Sequence, residues 1–196
     1  MSQAVSKLAT GDLASLIPHL GLSPEALAAA NGSSRVEDVL AKLERAGFLL
    51  EATRLMAHAL PKRETVWWSC MCASHTAPPD LPEADQKCRR GAEEWVRQQN
   101  EKARYACWDL AQGSGFGTPE AWTAVAAFWS GGSMSPEGQP AVPPQPHFTA
   151  KAVVGVIALS AVRGDVTQRD ARLHRFLESG RNIATGGAGR LPPEAV

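Results

Sequence analysis

The chain has 196 residues, and its 20 basic and 20 acidic side chains give a formal net charge of zero. That balance excludes a summed field able to gather phosphates or anionic lipid, so nucleic acid and membrane are not expected partners. Hydrophobic residues at 44% and charged residues at 20% exclude wholesale disorder and supply enough apolar surface for a core without disulfide or metal staples.

The opening Met1-Ser-Gln-Ala-Val-Ser-Lys7 lacks the basic region and apolar run of a secretory signal. Residues 1–22 are expected to be poorly ordered or weakly helical. Ser23-Pro24-Glu25 combines an N-cap hydroxyl, a proline suited to the first helical position and an acid favoured by the helix dipole, so a short helix is predicted up to Asn31-Gly32. Ser34-Arg-Val-Glu37 fits a capping box, and Val36, Val39, Leu40 and Leu43 follow at helical spacing toward a C-terminal cap at Gly47. Phe48 to Leu60 repeats the helical period until Pro61 stops it. A further helix carries Val66, Trp67, Cys70 and Met71 to the break at His75-Thr-Ala-Pro-Pro-Asp80.

Leu81 to Ala111 is polar and helix-favouring, and Asn100-Glu101 splits it into two helices by offering a cap. Thr118-Pro119-Glu120 repeats the start signal of Ser23-Pro24-Glu25, with Trp122, Val125, Ala126 and Trp129 on one face. Residues 131–147 form a proline-rich loop. Lys151 to Val162 is apolar nearly all round, as a central buried helix would be, with a strand as the competing reading. Even with Ala150 this stretch is too short to cross a bilayer. A last helix is expected over about Gln168 to Glu178, stopping at Gly180, with residues 181–196 a flexible tail. The fold class is therefore all-α: one domain over residues 23–180, made of helical hairpins over 23–75, helices over 81–130, the loop, and helices over 149–180. Stacked hairpins also allow an irregular α-solenoid.

No reaction centre emerges. Cys70-Met-Cys72-Ala-Ser-His75, with Cys88 and Cys107 beyond, lacks the turn-borne ligand pairs of a zinc site, so free, buried thiols and no metal are expected. His19, His58, His75, His147 and His174 are scattered and carry no local catalytic signature. The glycine runs Gly113–Gly117 and Gly186–Gly189 lack the lysine and hydroxyl of a phosphate loop. No catalytic or cofactor-binding residue is assigned. Of the tryptophans, Trp67 and Trp68 stand about 100° apart on a helix, so one is expected inward and the other at an exposed edge.

The strings Leu60-Pro-Lys-Arg-Glu-Thr-Val-Trp-Trp68, Glu94-Trp-Val96, Glu101-Lys-Ala-Arg-Tyr-Ala106 and Thr118-Pro-Glu-Ala-Trp-Thr-Ala-Val-Ala-Ala-Phe-Trp-Ser-Gly-Gly-Ser133 resemble the signature of an uncharacterised bacterial family of helical proteins, often encoded near type VI secretion system genes. The resemblance runs from about Leu60 to Gly189, and Phe128-Trp-Ser-Gly-Gly-Ser133 is its most specific piece. Where that family often has proline, this chain has Asn100, a cap in place of a breaker. The resemblance implies an accessory role in secretion and assigns no catalytic residue. The expectation is a soluble, cytoplasmic, non-enzymatic adaptor or chaperone that binds a secretion effector, adaptor or spike component, with Trp67, Trp68, Trp129, Ser130, Gly131 and Gly132 as candidate partner-binding residues. Alternatives are an immunity protein neutralising a co-encoded toxin, and a thiol or hydrolytic enzyme using Cys72 or Cys107.

Overall fold

The computed structural model describes residues 6–8, 13–136 and 138–194. Among them the chain forms ten α-helices, one turn of 3-10 helix at Val166–Gln168 and no strand. The helices are α1 (Leu13–Leu20), α2 (Pro24–Ala30), α3 (Val36–Arg45), α4 (Leu49–Ala59), α5 (Lys62–His75), α6 (Glu83–Gln98), α7 (Glu101–Ser114), α8 (Pro119–Phe128), α9 (Phe148–Ala161) and α10 (Arg169–Ala184). None is long and apolar enough to cross a membrane.

Local signals place most of the starts. Ser23, Asn100 and Thr118 each accept a bond from the backbone N–H three residues on, at Ala26, Ala103 and Ala121 (3.1, 2.8 and 3.2 Å), which satisfies one of the donors a helix leaves open at its start. The region after Leu81 therefore divides at Asn100, as expected. Gly47 adopts a φ of +80°, and Phe48 N–H donates back to Leu43 O at 2.9 Å, the left-handed closure that glycine permits. The capping box at Ser34 does not form: Arg35 occupies the cap position of α3 and no side chain caps it. The competing strand at Lys151 to Val162 is also not found: the segment is α9, which buries Ala152, Val153, Val156, Ile157 and Ala161.

The core forms around α5 and α9. Helix α5 packs against α6, α8, α9 and α10, while α9 also touches α4 and α8. Contacts between elements so distant in sequence set the fold apart from a solenoid, in which each unit meets only its neighbours. Trp68 is fully buried and donates its indole N–H to Phe176 O of α10 at 2.7 Å, which fills the seam between α5 and α10 and satisfies the buried indole donor. Gly180 does not stop α10, which runs on to Ala184. A Cβ at Gly180 would stand 3.0 Å from Met56 Cγ, so the glycine instead allows α10 to press against α4.

Helix C-termini leave carbonyls without intrahelical partners, and basic side chains from other helices close five of them. Arg54 Nη1 donates to Leu20 O and Gly21 O (3.3 and 2.9 Å) after α1, and Lys42 Nζ to Asn31 O (2.6 Å) after α2. Arg63 Nε reaches Val96 O (2.9 Å) in the last turn of α6. Arg104 Nη1 reaches Phe128 O (2.8 Å), the last residue of α8. Arg172 Nη1 gathers Ala161 O, Arg163 O and Asp165 O (3.1, 2.6 and 3.2 Å) behind α9.

The stretch after α10 is tied down as far as Glu194, in place of the flexible tail its composition suggests. Ala188 O accepts the indole N–H of Trp67 at 2.7 Å, and Gly189 O accepts Ser179 Oγ at 2.5 Å. Pro192 O meets His75 Nδ1, and Glu194 N–H donates to His75 O at 2.8 Å. The Glu194 carboxylate takes both Arg172 Nε (3.0 Å) and Nη2 (2.6 Å). At the amino side, Leu8 is buried and Lys7 N–H donates to Ala184 O at 2.7 Å; α1 is helical, and the rest of the expected weakly ordered segment, residues 1–5 and 9–12, lies outside the described residues.

Replacing Trp68 with Phe removes the bond to Phe176 O and leaves a void in the seam. The expected cost is about 1–3 kcal/mol, read as a lower urea midpoint with an unchanged denaturant slope.

Candidate functional site

The string Phe128–Ser133 folds around a guanidinium. Arg104 is 1% exposed. Its Nε and Nη2 grip the two oxygens of Glu101 at 2.9 and 2.7 Å, while Nη1 and Nη2 donate to Phe128 O and Ser133 O at 2.8 and 2.9 Å. The rings of Tyr105 and Phe128 lie 4.5 and 4.9 Å from its Cζ, so the buried charge is met by a carboxylate, two carbonyls and two aromatic faces. Gly132 completes the wrap with a φ of +61°, where a Cβ would stand 2.5 Å from Glu101 Oε2 and 2.6 Å from Arg104 Nη2. Ser133 Oγ then accepts Ser135 N–H and Val142 N–H, each at 3.0 Å, and anchors the proline-rich loop.

The candidate partner residues do not share one surface role. Trp68 is enclosed and offers no surface to a partner, because Trp67 takes the edge position on α5. Trp67 is half-buried against the tail through Ala188. Trp129 is half-buried between Trp122 and Phe148, with ring centroids 6.1 and 5.3 Å away, and its carbonyl accepts the Thr149 hydroxyl at 2.9 Å. Ser130 O accepts Lys62 Nζ at 2.8 Å. Gly131 has open space around it, and Gly132 belongs to the Arg104 wrap.

All four cysteines are free and buried. Burial pushes every thiol upward: Cys107 to about 12, and Cys70, Cys72 and Cys88 in the same direction. That desolvation disfavours the thiolate that a nucleophile at Cys72 or Cys107 would need. Among the described residues no group of three or more His, Cys, Asp or Glu is placed to hold a metal ion.

Three histidines far apart in sequence do come together. His19 of α1 stacks on His147, at the start of α9, with centroids 4.5 Å apart, and lies 6.3 Å from His58 of α4. Desolvation first, then His19, His147 and Lys151, pull His58 from 6.5 down to about 4. Desolvation, Lys151 and His19 also lower His147. These rings line a cleft of about 500 Å³ between α1, α4 and the turn before α9. No residue spacing announces this cluster, because its members come from α1, α4 and the turn before α9.

The opposite side of α1 borders a second cleft, of about 550 Å³. Leu13, Ile17 and Leu20 form one wall, with Leu22, Leu27 and Val39 across from them, and Asn31, Gly32 and Ser33 at the rim. Leu27 is 46% exposed there. The shape and volume suit an apolar ligand or side-chain cluster.

Two outcomes follow from these geometries. Gly132→Ala forces a left-handed backbone onto alanine and crowds a pinned guanidinium, with an expected loss of about 1–3 kcal/mol read by thermal unfolding. His58 has a folded-state pKa below its unfolded value, so its neutral form stabilises the fold above about pH 6.5, and that stability is lost as pH falls toward 4. A His58→Gln protein should therefore lose less stability than the parent between pH 7 and pH 4 in parallel urea titrations.

No curated protein and no solved structure matches the chain. Residues 39–184 match a protein-family model described as a family of unknown function, DUF6931. The match spans the body from within α3 through α10, including the Arg104 wrap and two of the three clustered histidines, and leaves α1 and α2 outside it. The chain belongs to this family of unknown function, DUF6931.

Proposed function

We propose that the protein acts by binding another protein, as a non-enzymatic adaptor or chaperone in the cytoplasm, serving a bacterial type VI secretion system. The observation that carries the binding role is the aliphatic cleft between α1, α2 and α3. Its walls are aliphatic and carry no charged side chain, and Leu27 stands partly exposed within it, so association there gains from removing apolar surface from water and not from charge attraction. The neutral balance of the chain agrees with this. The occupant that fits is the apolar face of an amphipathic helix, laid into the groove through side chains at helical spacing. The secretion setting is supported by the resemblance carried by Leu60–Trp68 and Thr118–Ser133.

Affinity purification of the tagged chain from its host, with mass spectrometry, tests this reading. The expected result is recovery of an effector, adaptor or spike component, reduced at least tenfold by Leu27→Asp, a change at an exposed position that leaves the core intact. Recovery of a toxin in its place would reassign the protein as an immunity factor. Recovery of no secretion component from cells expressing the system would overturn the proposal.

A further inference from the structure

The cleft lined by His19, His58 and His147 has an unusual charge inventory. From α1 it receives His19, from α4 His58, from α5 Lys62, and from the start of α9 His147, with Lys151 close enough to act on His58 and His147. Among the described residues that line it there is no carboxylate. Arg54, one turn before His58, is engaged by the carbonyls of Leu20 and Gly21, and Lys62 by Ser130 O. The other basic cleft carries its own counter-charges. There, a space of about 600 Å³ beside Arg163 and Arg172 already contains Glu194 and Asp165, while Glu120 pairs with Arg163.

Burial first, and then the neighbouring imidazoles and the Lys151 ammonium with no counter-charge on the cleft wall, disfavour protonation of His58 and His147. A molecule bringing negative charge supplies what is missing and draws protons onto the rings as it binds. A metal ion does not fit, because the rings meet face to face and no metal-holding group is formed. The remaining walls include Leu16, Leu60 and Ala150, which suit an apolar body, and about 500 Å³ lies within the range for a small-molecule site.

We infer that the cleft between α1, α4 and the start of α9 binds a small anionic molecule, a phosphate or carboxylate head on an apolar body, through His19, His58, His147 and Lys151. Protonated imidazoles donate charge-assisted hydrogen bonds to the head, and the body packs on the aliphatic wall. Occupancy also fastens α1 to α4 and α9, since His19 is the α1 member of the cluster. This site is independent of the partner reading, because it takes its ligand on the opposite side of α1.

Isothermal titration of the full chain with phenyl phosphate, and in a parallel arm with benzoate, tests the inference at pH 6 and pH 8, with His ring signals followed by NMR. Benzoate stays fully ionised across this range, so its arm separates titration of the protein from titration of the probe. The expected result is saturable binding of at least one probe, at least tenfold tighter at pH 6, weakened at least fivefold by His58→Gln and by His147→Gln, with the His58 titration moved upward in the complex. The tighter probe identifies the head group. Absence of saturation by both probes at pH 6, or binding indifferent to pH and to both substitutions, would overturn the site. Uptake of zinc through the same three histidines in place of either anion would overturn it as well.

Discussion

The closing of helix ends by basic side chains from other helices is the constraint on which the rest of this structure depends. Helices of seven to sixteen residues have a large share of their backbone in first and last turns, where carbonyls and N–H groups have no partner within the helix. N-termini are served locally by Ser23, Asn100 and Thr118. C-termini are served across space, by Arg54, Lys42, Arg63, Arg104 and Arg172. A guanidinium suits this work because its donors form a rigid fork that reaches several carbonyls at once. Arg172 shows the limit of the device, with one nitrogen serving three carbonyls and the other two gripping Glu194.

That arrangement places the clefts. Arg54 fixes the end of α1 to α4, so α1 stands as a partition, with Leu13, Ile17 and Leu20 toward the aliphatic space and Leu16 and His19 toward the histidine cleft. The partition lies outside the segment that matches the family, whereas most of what it rests on lies within it. Any shift of α1 changes both spaces at once.

Most signals that act within a few residues were readable from sequence, the capping box at Ser34 excepted, and signals that act across the fold were not. The cap, proline and acid at Ser23 and Thr118, the split at Asn100 and the glycine at Gly47 each state their role within one turn of chain. Gly180 misleads because the same residue serves to end a helix and to let two helices approach; only the presence of Met56 decides between them. The segment after Ala184 looks frayed by composition, yet its ties come from Trp67, His75, Arg172 and Ser179, all on helices laid down earlier in the chain. The histidine cluster is invisible for the same reason, since its members belong to three separate elements. Phe128–Ser133 could be singled out as a string, but its role in enclosing Arg104 needed the position of α7.

The bonds that complete α5 span long stretches of chain: 108 residues from Trp68 to Phe176, 117 from His75 to Pro192 and 121 from Trp67 to Ala188. An all-helical protein ordinarily folds fast because its contacts are local, and distant contacts slow that search through the entropy of closing large loops. A chain emerging from the ribosome amino end first must therefore carry α5 with its indoles and imidazole unmatched until α10 and the segment behind it arrive. During that interval the two adjacent tryptophans lack the partners that α10 and the following segment supply, and they add to the apolar surface open to misassociation.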